Sequence, residues 1–556
     1  MEQFKSFTEL TSLHGYQYLN DTNKSKWNCL YWSVCIIVSM IGAIFVIFES
    51  FAELRNELPV TFQDPELHTL ESIYFPGLTV CNVNQVRRSY FEELGIYENE
   101  TAVNHVNAYY MGEQIEKDDP SYHQTTHEIL EGLDESVKED EDLKRTAHQA
   151  CAEMFLGHEW RNVKHYKADT AVTYGTDEGM CCMYHPNIIK DPNKQTTDDE
   201  KDDGSSTFDW DDWKENKTKG VKPGKEKGFV LLLDVESFDY NGAEVSYEGF
   251  HVVVGSYHNQ AIINQRAIQI TPGTVTQIAL TPSLLSITDR ALSRFSPRKR
   301  QCYNNKEIEL TYFPRHRGYM YSLDNCIFES TVNRVLEECN CYPPNLNFYN
   351  NEACADVKLN CMDHVYETLS MTGTVMHDNE TKHCMPLCKK QDISLFTTSS
   401  SHPNENLFVY HKEFCIIAKR LLEKCEGSRR KPLEEMYPQL CETLEVIKNI
   451  NLDNACDNKQ WPLMRSNLPN CTWERCKVEE AVMKYSKDNL VAINIFFPNP
   501  FVNRMIRDVK ITTNDFIGNV GGLLGLCMGF SVISLAEIVY HILAAIVCLM
   551  TTYSKH

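Results

Sequence analysis

Several familiar signatures are missing from this sequence, and each absence removes a class of function. No G-x-S-x-G, H-E-x-x-H or P-loop occurs, so the common nucleophile, zinc-hydrolase and phosphate-cradle frameworks are not there. Positive charge is in deficit: 54 Lys and Arg against 77 Asp and Glu leave a net charge of −23, the wrong sign for a nucleic-acid binder. There is no internal repeat. Between residues 51 and 515 no run is long and apolar enough to cross a bilayer. What is abundant is cysteine, 22 in 556 residues, too many for an ordinary cytosolic enzyme. That points to an oxidising compartment or to metal sites. A hydrophobic content of 42% is enough for a sizeable core and excludes general disorder. The mean hydropathy of −0.39 resembles that of an acidic secreted protein, but it averages a polar middle with two apolar ends.

Trp27 to Phe48 is a stretch of 22 residues without a charge, enough to cross a hydrocarbon core of about 30 Å. A signal peptide is the alternative. The segment starts late for one, is too long for an h-region and lacks a small-x-small cleavage site. Near the other end, Phe516 to Tyr553 carries a single carboxylate, Glu537, and can also span. Two spans put both termini on one side. Lys24 and Lys26 precede the first span while Glu49, Glu53 and Glu57 follow it, which favours termini inside. The intervening part is then extracellular. Eighteen of the 22 cysteines lie there, as do the sequons at Asn99, Asn216, Asn379 and Asn470 and most of the excess acid. Asn20 and Asn23 also match the sequon, on the side where it is silent.

Within that middle part, residues 70–82, 228–235, 248–255 and 489–497 read as buried strands. Helical pattern covers 126–156, 406–425 and 433–449. Residues 191–227 form a polar insert, acidic through Asp212 and lysine-rich after it, read as a loop or hairpin tip.

The second apolar segment is unlike an anchor. Residues 516–536 contain five glycines, and Gly518, Gly522, Gly525 and Gly529 fall on one helical stripe. The stripe suits either close helix packing or a narrow pore with a partly backbone wall. Each glycine costs about 1 kcal/mol of helix stability relative to alanine, so a break is expected near Gly529-Phe530-Ser531. Broken helix at membrane depth is tolerated where it is buried in protein or faces water. Glu537 is an intramembrane carboxylate, of a kind that faces cavities; the alternative places it at the inner interface. A ring of such acids attracts cations.

In order along the chain, His14-Gly15, FPGLTVCN (75–82), PGT (272–274), YSLDNC (321–326), CNCYPP (339–344) and GGLLGLCMGFS (521–531) resemble the degenerin/epithelial sodium channel superfamily over essentially its whole length. The resemblance implies an α+β membrane protein with two transmembrane helices and a large disulfide-rich, hand-like ectodomain. That ectodomain has a β-sheet palm, a helical thumb, a finger and a knuckle, and the channel is a homotrimer. Implied boundaries are 1–26 for a cytosolic tail with the His-Gly re-entrant motif and 27–51 for the first span. The ectodomain follows at 52–515, the pore-lining segment at 516–550 and a cytosolic tail at 551–556. Gly529, Phe530 and Ser531 match the selectivity filter, Glu537 a pore acid, Gly518 and Gly522 the outer pore, and His14 and Gly15 the re-entrant loop. The family's second acid position is Tyr540 here, and Phe530 is large where the family has a small residue.

The resemblance also implies the disulfides Cys302–Cys388, Cys326–Cys384, Cys339–Cys361 and Cys341–Cys354. A further rung of acid-sensing members is lost at both ends, being Ser330 and Lys382 here. Zinc is the competing reading of Cys339 and Cys341. Partners among Cys81, Cys151, Cys181 and Cys182 stay open, as do those among Cys415, Cys425, Cys441, Cys456, Cys471 and Cys476.

The implied activity is an amiloride-sensitive, sodium-selective channel of the plasma membrane, with Na⁺, lipid and amiloride as partners and no cofactor or metal. Its stimulus is read as a short amidated peptide of the FMRFamide type, at a site that spacing does not assign. Proton gating is disfavoured because Pro59 and Val60 stand where proton-gated members carry a His-His pair, and His68 is alone. Protease-trimmed, constitutive gating is disfavoured because Pro297 spoils the basic site at Arg298-Lys299-Arg300. An ectoenzyme, a non-conducting receptor and an ATP-gated channel are the remote alternatives.

Overall fold

In the computed structural model the chain divides into two units, residues 1–62, 287–301 and 506–556 in one, residues 63–286 and 302–505 in the other. The structure describes all residues except 1–6, 9–10, 21–25, 74, 112–146, 161–162, 167–170, 185–221, 243–245, 257–258, 306, 312–320, 344–353, 355–356, 373–383, 405–411, 449–472 and 554–556.

The larger unit is organised by two sheets. Its principal strands are β1 (Gly77–Asn82), β2 (Phe155–Trp160), β3 (Met180–Tyr184), β4 (Phe229–Asp234), β5 (Phe250–Gly255), β6 (Thr274–Ile287), β7 (Lys390–Ser401) and β8 (Leu490–Phe496). In the larger sheet the neighbours run β6-β8-β4-β2, with β7 added to β6; in the smaller, β1 lies between β5 and β3. β8 is parallel to β6 and antiparallel to β4, with Leu490 opposite Asp234. Its sequence LVAINIF is a nearly continuous apolar run because both faces are covered. Val491, Ile493 and Ile495 point to a core shared with β1, β4 and β5, whereas Leu490 and Ala492 join a second core with Leu232 and Leu156. That second core is roofed by the helices Lys412–Glu426 and Trp473–Asn489. The first of these buries Phe414, Ile417, Ala418, Leu421 and Cys425, the i, i+3, i+4, i+7 spacing of an amphipathic helix.

Disulfides join Cys81–Cys181, Cys151–Cys182, Cys302–Cys388, Cys326–Cys384, Cys339–Cys361, Cys341–Cys354 and Cys425–Cys441. Cys181 and Cys182 are neighbours on β3 and point to opposite faces. One therefore meets Cys81 on β1, and the other meets Cys151 at the start of the short helix Cys151–Met154. Cys415 is also disulfide-bonded. Cys456 and Cys471 lie outside the described residues, as do Lys382, Asn216, Asn379, Asn470 and the insert up to residue 221.

The helical pattern read over 126–156 is corrected at its end. Residues 126–146 lie outside the described residues, and from Phe155 the chain is strand β2. Phe155 and Trp160 face the inter-sheet core and Leu156 the helical one, so this strand is covered on both faces. The pattern over 433–449 resolves into two short helices, Arg430–Met436 and Leu440–Glu445, separated by Gln439 in the left-handed conformation. The strand read from residue 70 begins at Gly77; Leu70–Ser72 is a 3₁₀ turn.

A buried ionic cluster ties the helical roof to β4. Lys424 Nζ lies 3.1 Å from Asp234 and 2.6 Å from Glu236. Arg429 reaches Glu236 at 3.1 Å and Glu153 at 2.6 Å, and the Tyr485 hydroxyl donates to Asp234 at 2.9 Å. Burial raises the Glu236 carboxyl, but Lys424 and Arg429 outweigh it and hold the group below its ordinary range. Asp239 accepts from the Ser89 amide at 2.7 Å and its hydroxyl at 2.8 Å; burial, with Glu236 nearby, pushes it up to about 6.

Candidate functional site

The smaller unit contains the helix Lys26–Asn56, 31 residues long. At 1.5 Å per residue it extends about 46 Å, more than a hydrocarbon core requires. Ala43 is its one buried residue, and aromatic and aliphatic side chains from Trp27 to Phe51 stand exposed along it. It is long and apolar enough to cross a membrane.

The glycine-rich segment is two helices, Thr513–Met528 and Val532–Tyr553, separated by a break over residues 529–531, with Val532–Ala544 bent by 71° from the first. The first helix starts in a capping box, with the Thr512 hydroxyl accepting from the Asp515 amide and the Asp515 carboxylate accepting from the Thr512 amide. It ends at Gly529, whose left-handed φ of 67° closes the last turn through its amide on Gly525 O at 2.9 Å. The Phe530 amide follows onto Leu524 O at 3.2 Å. The second helix opens on Ser531. The Ser534 amide donates to Ser531 Oγ at 3.2 Å, and the Ser531 amide donates to Ser534 Oγ at 3.1 Å. Serine is suited to this because its short side chain satisfies amides left free in a first turn.

The amino-terminal segment inserts at this break. The His14 amide donates to Met528 O at 2.9 Å, taking up a carbonyl the ended helix leaves open. A Cβ at Gly529 would sit 2.7 Å from the His14 ring, so this position needs glycine for space as well as for φ. Gly15, at φ +87°, turns the chain against Ile36 and Trp32 of the first helix, and Tyr18 stacks on Trp32 at 4.5 Å. Ser12 Oγ is 2.7 Å from Ser534 Oγ, and its amide and hydroxyl each lie 3.3 Å from Glu537 Oε2. His14, Gly15, Gly529, Ser531 and Glu537 are thus brought together. Gly518 and Gly522 lie on exposed helix surface, where an added Cβ would meet nothing within 4 Å. Asn99 stands exposed ahead of the helix Glu100–Met111.

The helix ends are tied by Arg294, which sequence reading passed over, and by Glu57, read there only as a flanking charge. Arg294 donates to Leu54 O at 3.1 Å and Ile511 O at 2.9 Å, and its Nε lies 3.1 Å from Glu57. Glu57 in turn accepts from the Ile511 amide. One guanidinium therefore joins the end of the first helix to the approach to Thr513–Met528. Ser534 had a signal in its S-x-x-S spacing at a helix start. Ser12 had none, since its partner lies 522 residues away.

The chain thus combines a disulfide-rich β domain with a long exposed apolar helix and a bent, glycine-rich helix pair. The family model described as "Amiloride-sensitive sodium channel" matches residues 7–541, and the chain belongs to that family. It is 19% identical over 565 residues to Pickpocket protein 28 of Drosophila melanogaster, covering 98% of this chain and 78% of that protein. To Acid-sensing ion channel 1C of Danio rerio it is 19% identical over 548 residues, covering 96% and 82%. The family is one of sodium-permeable, membrane-integral ion channels and not of enzymes.

Proposed function

We propose that this chain forms a homotrimeric, amiloride-blocked, sodium-selective channel of the plasma membrane, opened from outside by a short amidated peptide. The observation that carries the conduction reading is the interruption at Gly529–Ser531, with the His14 amide seated on the open carbonyl of Met528. Non-helical backbone in an apolar segment needs protein or water around it. In this reading residues 27–51 and 516–550 span the bilayer and residues 52–515 are outside, glycosylated at Asn99, Asn216, Asn379 and Asn470. Both tails, 1–26 and 551–556, are cytosolic. Gly529, Phe530 and Ser531 form the filter, Gly518 and Gly522 line the outer pore, and Glu537 supplies one carboxylate per copy. Three carboxylates concentrate cations and repel anions by direct charge. Na⁺ moves down its gradient with no bond made or broken.

Peptide gating is supported by a cavity of about 260 Å³ in the larger unit. Its floor is Gly157, Val230, Leu232 and Ala492, and its rim carries Lys164 and Glu413. Glu413 accepts from Lys164 at 2.9 Å and from the Tyr166 hydroxyl at 3.2 Å. An apolar floor with a few polar rim groups suits a peptide side chain beside its amide. Acid is the second reading, favoured by Asp239, which titrates near 6, and by relatives named acid-sensing channels.

The test is expression of the full chain alone in oocytes, perfused in turn with FMRFamide-like peptides, acid and amiloride. An amiloride-blocked inward Na⁺ current evoked by peptide is expected. Current evoked by acid and not by peptide replaces the first reading with the second, and no amiloride-blocked current under any condition removes both.

A further inference from the structure

The polar contacts around Glu537 link it to the amino-terminal segment and to the turn at Ser531. The Ser12 hydroxyl lies 3.3 Å from Glu537 Oε2, where it donates, and 2.7 Å from Ser534 Oγ, a contact in which either hydroxyl can be the donor. Ser534, fully buried, accepts from the Ser531 amide at 3.1 Å and lies 3.1 Å from the Ser531 hydroxyl. The contacts form one connected series from Ser531 through the Ser534 and Ser12 hydroxyls to the Glu537 carboxylate. The Ser12 amide adds a second donor to the same oxygen at 3.3 Å.

We infer that Ser12 and Ser534 are positioning residues that set ion selectivity, holding the Glu537 carboxylate in one orientation and coupling it to the backbone of Ser531. This rests on the reading of Glu537 as the pore acid. Ser12 belongs to the amino-terminal segment, so part of the selectivity of the second helix pair is supplied from the other end of the chain. Consecutive hydrogen bonds polarise one another, and removing either hydroxyl breaks the whole series. The effects of the two substitutions should therefore not add.

The experiment measures bi-ionic Na⁺/K⁺ reversal potentials in full-length channels, with surface protein quantified alongside. E537Q is the reference. S12A and S534A should each lower the Na⁺/K⁺ permeability ratio about 2- to 10-fold, the range for losing one hydrogen bond. The double variant should go no lower than the stronger single. At position 12 threonine and valine share a shape and differ in the hydroxyl, so S12T should retain wild-type selectivity and S12V should lose it. If E537Q shifts the reversal potential while S12V and S534A change only current size, the relay is refuted and the pore-acid reading stands. If E537Q itself shifts nothing, the pore-acid reading fails, and the inference with it.

Discussion

Lys424 in the larger unit and Glu537 in the smaller are both charged groups among apolar neighbours, and the protein treats them differently. Lys424 is enclosed: two carboxylates lie within 3.1 Å, and the Phe238 and Tyr485 rings flank it at 5.4 and 5.6 Å. Glu537 receives two longer bonds, both from Ser12, and stays half-exposed. The contrast extends to the elements that carry them. The helix of Lys424 buries a full apolar stripe and is fastened by the Cys425–Cys441 disulfide, whereas Thr513–Met528 buries none of its residues. Around Lys424 the larger unit supplies the counter-charges from its own side chains. The smaller presents apolar surface along Lys26–Asn56 and a half-exposed acid on Val532–Tyr553, an arrangement suited to contact with lipid.

The largest effect that would sharpen this comparison is expected at Gly529. Gly529→Val places a β-branched side chain at a left-handed φ and against the His14 ring. Current should vanish while disulfide-bonded protein still reaches the surface, as read by biotinylation. Robust current from that variant would show that the break does not govern conduction. Next in size is Lys424→Met, which leaves Asp234 and Glu236 buried without their cation. A loss of about 3–5 kcal/mol is expected, seen as a lower thermal midpoint of the purified channel. Removing Cys425 and Cys441 together opens a loop of 16 residues, worth about 3 kcal/mol. It should lower the midpoint with the reversal potential of surviving channels unchanged.

The smallest effect concerns Asp239. Its folded-state value of about 6 lies above its ordinary 3.8, so the native protein holds this proton more tightly than the unfolded chain. The stabilisation is complete below the ordinary value and is lost as pH rises through about 6. Asp239→Asn should therefore flatten the midpoint between about pH 4 and 6, removing about 2–3 kcal/mol of pH dependence. An unchanged slope would mean that another group carries it. Acid-evoked current that survives the substitution would remove Asp239 as a proton sensor.

The sequence made the apolar elements legible wherever burial was one-sided or complete. The charge-free run from Trp27 to Phe48 became a single helix, and NLVAINIFF became a strand covered on both faces. The break at Gly529 was visible in the glycine density, and the family resemblance pointed to His14 and Gly15 as a re-entrant loop, but not to the bond they make. That the His14 amide caps Met528 depends on the two ends of the chain meeting, which no local pattern encodes. Cys181-Cys182 shows the same limit. Adjacent residues on a strand require partners on opposite faces, yet choosing between Cys81 and Cys151 needed the pairing of Val80 with Cys182. The two-faced strand at Phe155–Trp160 was hidden for another reason: burial on both sides erases the alternation that distinguishes strand from helix.

If the break at residues 529–531 sets which ion passes, the bi-ionic Na⁺/K⁺ reversal potential of Ser531→Cys, measured beside the unaltered channel with surface protein matched, should shift toward the K⁺ potential, because the altered side chain sits at the turn joining the two helices. A Ser531→Cys channel of normal current and unchanged reversal potential would contradict it.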